Sequence, residues 1–173
     1  VSEIEKIKMG DASDFSNFMT AVIDERAFSK IKGYIDRASE NSDCKIITGG
    51  KCDNETGWFI EPTIILTENP NSETMVEEIF GPVLSIIPFD TEDEAVKIVN
   101  DTSYGLGNYL QTDNKEKAHR VAKKLRSGCV YINGNAADVG TPFGGYRQSG
   151  NGREGGVWGL EEFLEVKNVT GWN

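Results

Sequence analysis

Histidine is almost missing from this chain. Among 173 residues there is one, His119, so any triad or general-base scheme built on imidazole must use it. It lies in the charged run Lys115–Arg120, which reads as a solvated helix face. Cysteine is scarce as well. Cys44, Cys52 and Cys129 are odd in number and irregularly spaced, which supports neither a disulfide framework nor a zinc motif and predicts a reducing, intracellular setting. Cys129 opens a strand-like run where a thiol behaves as a small buried hydrophobe, and Cys44 and Cys52 read the same way. Basic residues are few: 18 Lys and Arg stand against 28 Asp and Glu, a net charge of −10. That balance argues against nucleic acid or an anionic membrane surface as the main partner. No apolar run approaches the roughly 18 residues that a membrane span needs, and the polar opening Val1–Lys6 lacks the pattern of a signal peptide.

What is present is an ordered alternation. Hydrophobic residues make up 38% of the chain, a share that fits a soluble domain able to bury a core. Ile4–Lys8 reads as the end of a helix stopping at Gly10. Asp24 reads as an N-cap, with Phe28, Ile31, Ile35 and Ala38 following at helical spacing. Cys44–Thr48 is a β-rich run closed by Gly49-Gly50, and Trp58–Leu66 a second, interrupted by Pro62. Ser72–Glu77 suggests a short helix. Val83–Phe89, almost wholly apolar, suits a strand covered on both faces. Thr91 caps a helix with Ala95, Val96 and Val99 inward; Gly107–Gln111 is a strand, Asn114–Arg126 a helix, Val130–Ile132 a strand. The predicted fold class is α/β, a mostly parallel sheet with flanking helices, in one structural unit. From Asn133 to Gly159 the pattern breaks into an irregular stretch with nine glycines and interleaved aromatics, expected to be an ordered functional loop. Glu161–Thr170 closes with a helical turn and a β-rich tail.

Two short patterns invite a chemical reading. Gly150-x-Gly152-x-x-Gly155 matches a dinucleotide fingerprint, but no strand feeds it and the chain ends 18 residues after Gly155, short of the distant acidic residue the mechanism needs. It is read as a decoy. Glu77-Glu78-Ile79-Phe80-Gly81-Pro82 has two open readings. It is either helix end, tight turn and strand start, or a carboxylate held at a strand mouth to accept hydrogen bonds from a sugar diol, with an aromatic beside it to pack on a flat ring.

At this point the residues resemble a family. Glu77–Pro82 resembles the EEIFGP motif of the aldehyde dehydrogenase superfamily, and Pro142–Glu154 its PFGGxKxSGxGRE motif. Asn100–Leu106 is similar to its N(D/N)(S/T)xYGL segment, and Gly57–Thr63 to G(Y/F)(F/Y)xxPT. Four motifs in the family order cover nearly the whole chain. Phe18–Asp24 and Gly49–Asp53 are similar to the Δ1-pyrroline-5-carboxylate (glutamate semialdehyde) dehydrogenases of proline catabolism, whereas Gly152–Glu154 and Gly159–Lys167 resemble general aldehyde dehydrogenases. The resemblance implies that Glu78 hydrogen-bonds the nicotinamide ribose of NAD or NADP and that Phe80 packs beside the nicotinamide. It implies that Phe143 lines the substrate tunnel, and that Ala136, Ala137, Asp138, Val139, Gly140, Thr141 and Pro142 hold the far end of the aldehyde.

The same resemblance places the nucleophilic cysteine, the general-base glutamate and nearly all of the cofactor domain before Val1, and implies no metal. The expected role is therefore the C-terminal part of the catalytic domain of a dehydrogenase, cytoplasmic or in the mitochondrial matrix. Its expected partners are an aldehyde substrate, the remainder of the enzyme and a second copy of the chain in a homo-oligomer. A reading of another class is a truncated, non-catalytic homologue acting as a binding or oligomerisation module, with Phe163–Trp172 pairing with a partner's sheet edge.

Overall fold

Helix α1 (Glu25–Glu40) is the body around which the first part of the chain packs. The Asp24 carboxylate accepts from the Ala27 amide at 2.7 Å, the cap expected from sequence. Phe28, Ile31, Tyr34, Ile35 and Ala38 form its buried face, and the first four of these cluster with Ile60 and Ile79 into a hydrophobic core. Phe28 meets Trp58 with ring centres 5.4 Å apart. A computed structural model describes residues 1–135 and 137–171, divided into two compact units, Val1–Pro88 and Phe89–Asn173. The sequence predicts a single unit; the chain parts instead at Pro88–Phe89, because the strands on each side of that point pair only among themselves.

In the first unit, strand β1 (Cys44–Thr48) pairs antiparallel with β4 (Thr63–Thr67), and β4 pairs parallel with β5 (Val83–Ile86). Pro62 has no amide donor, so it breaks the extended run into β4 and a short β3 (Phe59–Ile60), which closes a hairpin with β2 (Cys52–Asp53). The crossover from β4 to β5 holds helix α2 (Glu73–Val76). Arg37 forks onto Glu73 from α1, with Nε and Nη2 each 2.8 Å from a carboxylate oxygen, and holds that carboxyl below its ordinary range.

The second unit is built from helix α3 (Glu92–Asn100) and a strand–helix–strand unit: β6 (Gly107–Leu110), α4 (Lys115–Lys124) and β7 (Cys129–Ile132). β6 and β7 are parallel, with Gly107 opposite Cys129, and their tyrosines Tyr109 and Tyr131 stack at 5.0 Å. Arg120 forks onto Glu92 at 2.9 and 2.7 Å, tying α4 to α3. Beyond β7 come a 3-10 turn at Arg147–Ser149 and helix α5 (Gly156–Glu161).

The α/β class stands, with several local corrections. β4–β5 and β6–β7 are parallel, while β1–β4 and β2–β3 are antiparallel: β2 and β3 are joined by a short turn, and their hairpin is itself the return from β1 to β4. β5 is covered on one face only. Leu84 is 55% exposed, on the face of the sheet opposite to the one through which Val83 packs on the core. Val99, expected inward, is exposed, while Ala95 and Val96 are half-buried. Ile4–Ile7 forms successive turns rather than a helix end, held by Ile4 to Val1 and Ile7 to Ile4 amide–carbonyl bonds at 2.9 and 3.0 Å; so short a run cannot offset the cost of helix nucleation. The last helix begins at Gly156 rather than Glu161. Residues 164–171 are exposed and form no ladder within the described residues, since no strand of the chain is offered to them; Trp172 lies outside the described residues. No helix among the described residues is long and apolar enough to cross a membrane.

Ile31 is 1% exposed at the centre of the first core. Ile31→Ala is expected to cost about 3 kcal/mol, read as a lower midpoint of urea unfolding without a change in slope.

Candidate functional site

The two groups of expected site residues lie in different units and are described separately. In the first unit, α2 ends at Val76 and Glu77 is already extended. Ile79 then turns into the core, 7% exposed. Two residues on, Gly81 sits directly under Ile31: a Cβ at that position would lie 2.5 Å from Ile31 Cδ1. The Pro82 carbonyl accepts from the Thr63 amide at 2.8 Å, which starts the β4–β5 ladder. With Ile79 and Gly81 both held inward, Phe80 is forced out. Its φ is +60°, in the left-handed region that a bulky residue seldom occupies, and its ring is 83% exposed. Such strain costs on the order of 1 kcal/mol or more and persists where surrounding contacts over-determine it.

Glu78 stands beside it, exposed, its main-chain carbonyl accepting from Lys30 Nζ at 3.2 Å. The result is a carboxylate and an aromatic ring two residues apart on a segment fixed from both ends. A surface hollow next to them is lined by Ile23, Arg26, Ala27, Lys30, Ile79 and Phe80. The turn reading of Glu77–Pro82 is met: helix α2 ends, the chain turns, and β5 starts. That same turn leaves the Glu78 and Phe80 side chains in the open.

In the second unit, β7 ends in Asn133 at φ +53°. The Asn133 side chain copies a peptide group across the strands, with Oδ1 accepting from the Thr112 amide at 2.9 Å and Nδ2 donating to the Thr112 carbonyl at 3.0 Å. From here the chain arches outward. Ala136 lies outside the described residues; Ala137, Asp138, Val139, Gly140 and Thr141 are all exposed. Thr141 closes a turn onto the Asp138 carbonyl through its amide (3.1 Å) and its hydroxyl (2.7 Å). Phe143, 44% exposed, ends the arch by exchanging two main-chain hydrogen bonds with Glu154, at 2.8 and 2.7 Å.

The glycine-rich stretch that follows serves this arch. A Cβ on Gly155 would lie 2.9 Å from the Thr141 carbonyl oxygen, and one on Gly156 would collide with that of Gly140. Gly155, the third glycine of the decoy, thus makes room for protein carbonyls. The turn at Arg147–Ser149 precedes the motif in place of a strand, and α5 is only six residues long.

One relationship was not legible in the sequence. Asn100–Leu106 and Gly144–Ser149 dock on each other: Ser149 Oγ accepts from the Gly105 amide at 3.0 Å, the Tyr146 amide donates to the Gly105 carbonyl at 2.9 Å, and the Gln148 amide donates to the Ser103 carbonyl at 3.1 Å. Arg147 adds bonds to the carbonyls of Asn100 and Thr102. Gly128 closes the assembly, since any side chain there would strike the Gly144 carbonyl. The only sequence signal was turn chemistry at both places, which does not say that the turns meet. His119 is exposed on α4, and the three cysteines are half-buried and unbridged. Burial pushes the Cys52 thiol above its ordinary pKa, away from nucleophilic character.

The chain is an α/β protein with an exposed carboxylate–aromatic pair in one unit and a pinned, exposed arch in the other. The model of the aldehyde dehydrogenase family matches residues 1–169. The chain belongs to that family. It is 43% identical over 171 residues to a 3-succinoylsemialdehyde-pyridine dehydrogenase of a Pseudomonas species, covering 97% of this chain and 36% of that protein. Among solved structures it is similar to an aldehyde dehydrogenase of Bartonella henselae (TM-score 0.92, 38% identity, 99% of this chain and 36% of that one). It is also similar to a betaine aldehyde dehydrogenase of Staphylococcus aureus in complex with NAD+ (TM-score 0.89, 36% identity, 100% of this chain and 37% of that one). The chain thus spans little more than a third of the length of the relatives it matches.

Because Phe80 is exposed and held in a left-handed conformation, Phe80→Gly is expected to leave the chain as stable or to raise its stability by up to about 1 kcal/mol. Urea unfolding checks this, and a clear loss of stability would show that packing of the ring, not its display, holds the segment.

Proposed function

We propose that the chain is the C-terminal part of the catalytic domain of an NAD(P)-dependent aldehyde dehydrogenase, which oxidises an aldehyde to a carboxylate. The observation that carries this reading is Phe80, strained into the open beside Glu78 on a segment fixed by the core. Exposed and rigid, the pair fits the nicotinamide end of the cofactor: Glu78 accepts hydrogen bonds from ribose hydroxyls and Phe80 packs against the ring. When bound, NAD(P)+ supplies the hydride acceptor. The chain's own residues orient: Phe143 lines the aldehyde tunnel, and Ala136–Pro142 hold the far end of the substrate. Such groups act by fixing the reacting partners in near-attack geometry.

The nucleophilic cysteine and the general-base glutamate are assigned to the part of the enzyme outside these 173 residues. In support, Cys44, Cys52 and Cys129 are half-buried, and burial disfavours the Cys52 thiolate. Within the aldehydes, glutamate semialdehyde is the finer reading, supported by the likeness of Phe18–Asp24 and Gly49–Asp53 to its dehydrogenases; betaine aldehyde and 3-succinoylsemialdehyde-pyridine, named for relatives, are the comparison substrates. A homo-oligomer is proposed through the C-terminal run, where Phe163 is 88% exposed and Val166 and Val169 are also exposed. That unpaired run is also the one observation favouring a non-catalytic oligomerisation module.

The purified chain is expected not to reduce NAD+ with any of these aldehydes, and turnover abolished by Cys129→Ala would overturn the assignment of the nucleophile elsewhere. In the complete enzyme, Glu78→Gln is expected to slow single-turnover hydride transfer about tenfold or more while cofactor Kd moves less than about threefold. An unchanged rate removes the ribose-positioning role, and absence of a longer product carrying this sequence in cell extract would favour the module.

A further inference from the structure

The tip of the arch is open, with Val139 fully exposed, while the Gly140 and Thr141 carbonyls rest on Gly156 and Gly155 beside the exit foot. Its position depends on its two feet. The entry foot is the Asn133–Thr112 clamp described above. The exit foot is the Phe143–Glu154 bridge, and the residue next to Glu154 is Arg153, whose guanidinium lies beneath the Gly144–Gly145 turn. Arg153 Nη1 lies 2.9 Å from the Gly145 carbonyl, 2.8 Å from that of Gly152 and 3.4 Å from that of Asn151. Its Cζ is 5.5 Å from the centre of the Tyr146 ring. Tyr146 is itself fixed, its amide donating to the Gly105 carbonyl at 2.9 Å. One cation thus joins the two sides of the loop, residues 144–146 and 151–154, to the turn after α3.

We infer that Arg153 is a positioning residue for aldehyde binding, acting through the Gly145 and Gly152 carbonyls to hold the Phe143–Glu154 bridge and hence the arch. The inference rests on the reading of residues 136–143 as the aldehyde site. A guanidinium suits the task because it stays charged at any working pH, presents several donors in one plane and offers a flat face to an aromatic ring. A lysine ammonium keeps the charge and loses the plane. A methionine keeps the stem and loses every donor.

The test is steady-state kinetics on the complete enzyme carrying Arg153→Met or Arg153→Lys, with thermal melting as the control for folding. The aldehyde KM is expected to rise about tenfold in Arg153→Met and less in Arg153→Lys, while kcat and the NAD+ KM stay within about twofold. An unchanged aldehyde KM in both variants overturns the inference, as does a parallel loss in aldehyde and cofactor parameters, which marks a merely structural role. If Arg153→Met does not fold, the same criteria applied to Arg153→Lys decide. Val139→Arg, at the open tip, tests the underlying reading separately. Altered preference among aldehydes in Val139→Arg with no KM change in the Arg153 variants sinks the inference alone. No altered preference in Val139→Arg sinks the reading of the arch as the aldehyde site.

Discussion

Main chain brought closer than a side chain would allow is the constraint from which the rest of this molecule follows. In the first unit it is Gly81 pressed under Ile31. In the second it is Gly128 against the Gly144 carbonyl. Each approach joins a regular element to an irregular segment: helix α1 to the strand mouth, and the entry to β7 to the glycine-rich loop. Because interiors are packed to near-crystalline density, such a contact has one position, and the residues flanking it are placed without contacts of their own. Phe80 is out because its neighbours are in. The arch tip is open because its feet are closed.

This arrangement explains a division between the residues that build and the residues that display. Ile79, Gly81, Asn133, Tyr146 and Arg153 build. Glu78, Phe80, Asp138 and Val139 display, and they contribute little to holding the chain together. Phe80 and Val139 leave apolar area in water, as do Phe15, Ile23 and Phe163 elsewhere on the chain. Local strain and uncovered rings are commonly found together where a ligand is to be met.

Elements with a strong period or a clear cap were legible from sequence. Asp24, Thr91 and Asn114 all accept the amide hydrogen bonds expected of N-caps, and Cys44–Thr48 forms the strand its composition suggested. The unbroken apolar run of Val83–Phe89 has no alternation, so it could not tell that one face of β5 is left uncovered. The reading of Glu78 and Phe80 as cofactor contacts came only from resemblance, since local physics left two readings equal. The docking of Asn100–Leu106 on Gly144–Ser149 was hidden because each of its bonds has a main-chain group on at least one side, which every residue possesses and no side-chain pattern betrays.

The strand pairings described above share one further property. Each of the longer ladders joins residues close in the chain, Cys44 to Thr67, Thr63 to Val83 and Gly107 to Cys129, and each closes within its own unit. Low sequence separation lowers the entropy that must be given up before a contact forms and speeds assembly. Since synthesis proceeds residue by residue from the N-terminal side, the strand that follows Glu77–Pro82 can complete its ladder while the arch is still being made. The order in which the two halves become structured is then written into the spacing of their hydrogen bonds.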